Sequence, residues 1–100
     1  MAYGNQNFES ARYRRSTMSL HARKRAQQRG IDQAALPLVM AYGQREYDGH
    51  GGVRFLMTAA SVDTLCMAVG RTKQVESLAG VYAVVSAEDQ TIITTGHRHI

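Results

Sequence analysis

The hydrophobic period of this chain changes near Gly43, and that change limits it to a fold in which helices lead into an antiparallel sheet. Before it, Leu36, Val39 and Met40 recur at helical spacing, a core-facing stripe. After it, Val53, Phe55 and Met57 alternate with Arg54, Leu56 and Thr58, which predicts a strand with one well-buried face. Ser19 as N-cap and Gly30 as C′ residue bracket a first helix whose apolar surface is only Leu20, Ala22 and Ala26, so it must dock by a narrow strip of small residues. Asp32 is the next N-cap; Pro37 marks either a kink or the true start of the second helix, and Gly43 its end. Arg45 and Tyr47 form a short strand joined to the next by the turn Asp48-Gly49-His50-Gly51-Gly52. Residues 59–70 fit a helix capped by Ser61 or a strand over 64–69. Residues 72–79 read as a short helical turn. Val81 to Ser86 is apolar on both faces and therefore central. Thr91 to Thr95 is the last strand, with Ile92 and Ile93 on opposite faces and Gly96 as its end. The order α-α-β-β-(α or β)-β-β is an α+β pattern.

A chain of 100 residues is one domain, with 44% apolar and 20% charged residues as in ordinary globular proteins. Residues 1–16 are polar, lack a hydrophobic period and read as a flexible basic arm ahead of a domain over 17–100. Met1 to Ser10 has no apolar core, so it does not read as a signal peptide, and no apolar run reaches the roughly 18 residues of a membrane span. Cys66 is the single cysteine; it excludes an internal disulfide, fits a reducing cytoplasm, and lies in an apolar stretch as an inert buried thiol. Met18, Met40, Met57 and Met67 read as core filling, and Tyr42, Tyr47 and Tyr82 as core or rim aromatics. The net charge of +4 is polarised. Residues 1–30 carry seven basic groups against Glu9, or +6, whereas residues 31–100 carry five basic and seven acidic groups, or −2. An anionic partner for the N-terminal end follows from that asymmetry.

Two constellations can carry chemistry. His21, Arg25 and Arg29 are spaced i, i+4, i+8 and share a helix face, where guanidinium forks bind phosphate and an imidazole moves protons near neutral pH. The alternatives are a solvated basic face or salt bridges to acidic groups elsewhere. His97, Arg98 and His99 follow the last strand; in extended chain His97 and Arg98 point to opposite sides. Zinc would need His97 and His99 to converge with His21 or His50, with no carboxylate close in sequence, so no metal is expected. The glycine-rich turn around His50 carries neither a P-loop nor a dinucleotide fingerprint, and no cofactor is expected.

The run Leu20-His21-Ala22-Arg23-Lys24-Arg25-Ala26-Gln27-Gln28-Arg29-Gly30-Ile31, with Tyr82-Ala83-Val84-Val85-Ser86 and Ile92-Ile93-Thr94-Thr95-Gly96-His97-Arg98, resembles the small bacterial domain-of-unknown-function family 4258 over roughly residues 19–98. That family is similar in layout to toxins of the RelE and BrnT type, which act on RNA, usually at the ribosome. The resemblance implies two N-terminal helices packed on a curved antiparallel sheet of about four strands. It also implies a cytoplasmic, RNA-directed function, an acidic antitoxin as possible partner, and His21, Arg25, Arg29, His97 and Arg98 as the matching site residues. Metal-independent cleavage would use His21, Arg25 and His97 as the catalytic group, with Arg23, Lys24, Arg29 and Arg98 holding phosphate. The competing reading is a non-enzymatic basic module that grips an acidic protein or nucleic acid. A third is a homodimer formed through strand edges or a Met/Val surface.

Overall fold

A computed structural model describes residues 18–47 and 49–98; the arm over 1–16 lies outside the described residues. Helix α1 (Leu20–Gln28) starts where the Ser19 side chain accepts a hydrogen bond from the Ala22 N–H, and stops as Gly30 takes φ 67°. Asp32 caps a 3-10 turn (Gln33–Ala35) by accepting from the Ala34 N–H. Helix α2 (Leu36–Tyr42) begins directly after it with Pro37 in the first turn. Proline there is a start, not a kink, because the N–H it lacks has no helical partner at that position. Strand β1 (Gln44–Tyr47) and strand β2 (Gly52–Leu56) form the expected hairpin.

The ambiguous stretch is a helix, α3 (Ala59–Val69), capped by Thr58 rather than Ser61 and ended at Gly70. The short α4 (Lys73–Glu76) follows, and Arg71 ties the two together through Asp63 (3.1 Å) and Glu76 (3.0 Å). These ion pairs hold the Arg71 guanidinium above its ordinary pKa, Glu76 contributing most. Strands β3 (Val81–Ser86) and β4 (Ile92–His97) complete a four-stranded antiparallel sheet in the order β1-β2-β3-β4. Helices α3 and α4 thus interrupt the sheet in sequence, so the helices do not all precede the strands.

Val81, Ala83, Val85 and Ile92 share one buried cluster with Ala22, Ala26, Leu36, Val39, Val62 and Leu65. The helices therefore cover one face of the sheet. Cross-strand partners point the same way, so the opposite face carries Tyr82, Val84, Ser86, Arg54 and Glu46, all half-buried, with Leu56 buried at one end. Strand β2 departs from the expected single buried face: Val53 on the helix side and Leu56 on the other are both buried, while Phe55 is partly open beneath Arg45. Met67 is also not core filling. It stands 89% exposed on α3, because Val62, Leu65 and Cys66 take the inward face of that helix. Tyr47 is an exposed rim residue.

A bulge between Val84 and Val85 lets Ile92 turn into the core while Ile93 faces out, as their adjacency predicts. Gly96 does not end β4, which continues through His97. In the β3–β4 turn Gln90 adopts φ 61°, a left-handed conformation that costs a side-chain-bearing residue about 1–2 kcal/mol. Gln90→Gly is accordingly expected to raise stability by about 1 kcal/mol, less the added chain entropy of glycine, seen as a higher urea midpoint at unchanged m-value. In the same turn the Asp89 carboxylate accepts from the Thr91 N–H (3.0 Å), which lowers its pKa below the ordinary value of 3.8. Its folded pKa lies below the unfolded one, so its contribution is present above that value and is lost as the solution is acidified through the range beneath it.

Candidate nucleic-acid interface

Helix α1 is held by its smallest side chains. Ala22 and Ala26 are fully buried one turn apart and bring the helix close against β4. The entry to the helix lies along the outer edge of β4: Met18 bridges Ile92, the Ser19 N–H donates to the Ile92 carbonyl (3.0 Å), and Ser19 Oγ donates to the Ile93 carbonyl (3.1 Å). The far end is fastened by Arg29, whose Nη1 donates to the Thr95 carbonyl at 2.9 Å. This leaves His21, Arg23, Lys24, Gln27 and Gln28 exposed and Arg25 half-buried. Arg25 Nε donates to His21 Nε2 at 3.3 Å, the i, i+4 contact the spacing predicts.

Gly96 explains how Arg29 reaches past the strand. A Cβ at this position would collide with Arg29 Nη1 and lie 2.8 Å from Tyr82 Oη. The missing side chain is the space in which the guanidinium and the phenol meet, on the sheet face opposite the helices.

Among the described residues every carboxylate but that of Glu88, in the β3–β4 turn, is committed elsewhere. Glu46 pairs with Arg54 (3.0 Å) and Arg98 (3.5 Å), Asp63 and Glu76 pair with Arg71, and Asp32 and Asp89 accept from backbone N–H groups. Among the described residues Arg23, Lys24, Arg25 and Arg29 have no carboxylate within 4.0 Å. Salt bridging within the described fold therefore does not account for the basic helix.

The C-terminal group is divided. Arg98 reaches the open sheet face, where it meets Glu46. His97 lies on the other side, in a groove of about 320 Å³ with Gly30, Ile31, Asp32, Val75 and Val81. His21 and His97 stand at opposite ends of α1. His21 is two residues past the Ser19–Ile92 contact, while Gly30 is at the groove, and the nine steps from one to the other rise about 13 Å along the axis. Arg29 and Arg98 thus share a face, and the two histidines form no pair. Among the described residues no three His, Cys, Asp or Glu side chains gather as a metal site; His99 lies outside them.

Tyr82, Arg54 and Glu46 belong to this surface although they were not site candidates in the sequence. A glycine inside a strand marks a close approach, and Gly96 opposite Tyr82 was the available signal. No family model, curated protein or solved structure matches this chain.

Proposed function

We propose that this protein binds RNA through phosphate contacts along α1, as an RNA-directed, toxin-like module that holds its ligand without cutting it. One observation carries the reading: Arg23, Lys24 and Arg25 stand along a helix whose buried side is alanine, with no carboxylate of the described fold to neutralise them. Cations spaced along a helix suit a phosphate backbone, which is recognised by charge. An acidic protein partner, such as an antitoxin, would ordinarily need buried aromatic or aliphatic anchors. The outward side of α1 offers only Leu20, 70% exposed. The separation of His21 from His97 argues for binding over catalysis, since an acid and a base must both reach one phosphodiester.

The test is a fluorescence-anisotropy titration of a labelled twelve-nucleotide single-stranded RNA between 50 and 200 mM salt. Three phosphate contacts give a slope near −2 in log affinity against log salt, a loss of about twentyfold over that range. Affinity that stays level with salt would sink the proposal.

A further inference from the structure

Glu46 Oε1 is shared by two guanidinium groups, Arg54 Nε at 3.0 Å from the neighbouring strand and Arg98 Nη1 at 3.5 Å from the end of β4. All three residues are partly open, with side-chain exposures of 30–46%. Two arginines converging on one oxygen form an anion site, and here its occupant is the protein's own carboxylate. Exposed ion pairs of this kind are weak, so a ligand can displace the carboxylate. Arg29 and the Tyr82 hydroxyl stand on the same sheet face over Gly96. Among the described residues the face therefore holds three guanidinium groups against one carboxylate.

We propose that this open sheet face is a second phosphate-binding surface, and that Glu46 masks it by standing where an RNA phosphate binds between Arg54 and Arg98. The inference rests on the RNA-binding reading of α1 and extends it. A strand held along the basic helix continues past Arg29 onto the sheet, where its phosphodiester displaces Glu46. Arginine is suited to the exchange because its fork accepts carboxylate and phosphate in the same geometry.

The experiment compares Glu46→Gln with Glu88→Gln, using the same labelled oligonucleotide. Both changes remove one negative charge; Glu88 lies in the β3–β4 turn and forms no ion pair among the described residues. Glu46→Gln is expected to tighten binding at least fivefold and Glu88→Gln less than twofold. The gain is expected to vanish in Glu46→Gln/Arg54→Gln/Arg98→Gln. Equal effects of the two single changes would overturn the masked site while leaving the salt dependence of the parent, and so the α1 reading, intact. A second measurement needs no variant. The Arg54 and Arg98 Nε resonances of the unaltered protein should shift when the oligonucleotide is added, and that of Arg71 should not. Unmoved Arg54 and Arg98 signals in a protein that binds the RNA would equally exclude the proposal.

Discussion

Replacing Arg23, Lys24 and Arg25 together by glutamate is expected to weaken binding of single-stranded RNA by a factor on the order of 10²–10³ at 50 mM salt. Each phosphate contact on a single strand contributes a salt slope of about −0.7, or roughly 0.9 log units of affinity at that concentration. Three lost contacts therefore account for nearly three log units, before any repulsion from the new carboxylates. The fold should survive the change. Arg23 and Lys24 are exposed, and among the described residues the Arg25 side chain bonds only to His21 across the helix surface. Glutamate is a good helix former, and none of the three side chains packs in the core. Circular dichroism checks the fold and anisotropy reads the affinity. A triple variant that binds as tightly as the parent would place the RNA contact elsewhere. A loss confined to high salt would likewise exclude the electrostatic account.

Ala26→Leu is expected to destabilise the domain by about 3 kcal/mol, at the upper end of the usual overpacking cost. Ala26 has no exposed surface, and with Ala22 it sets how closely α1 approaches β4. A leucine there must leave its preferred rotamer or lift the helix. Lifting the helix pulls Arg29 from the Thr95 carbonyl and loosens the Ser19 contacts at the other end. The loss is read as a lower urea midpoint at constant m-value. A change below about 0.5 kcal/mol would show that α1 has room to move. The RNA affinity of the folded fraction should change little, since the outward cations of α1 stay on the same helix, and this separates stability from binding.

The residues beside Gly96 do not announce that Arg29 and Tyr82 meet over it. Local chemistry announces its own partners when they lie a few residues away. Ser19, Gly30 and Asp32 mark α1 and the 3-10 turn because caps and left-handed termini are satisfied within one turn of chain. The switch of period at Gly43 gives the hairpin, since side-chain direction in helix and strand is a property of the backbone itself. The i, i+4 spacing likewise places His21 beside Arg25. Residues 59–69 were not resolved this way: a short apolar run fits a buried strand as well as a buried helix.

What the chain determined alone, then, is its α+β composition, most of its element boundaries, the basic face of α1 and the opposed directions of His97 and Arg98. Tertiary structure decided the rest, because it depends on contacts between residues far apart in sequence. Packing made residues 59–69 a helix and left Met67 in solvent. Strand pairing set Glu46 between Arg54 and Arg98, and Gly96 beneath Arg29 and Tyr82. Docking of α1 alongside β4 in the same direction, with Ser19 at Ile92 and Arg29 at Thr95, put His21 and His97 at opposite ends of one helix. Spacing along a chain fixes direction within an element, whereas distance between elements is set only when their buried faces close on one another.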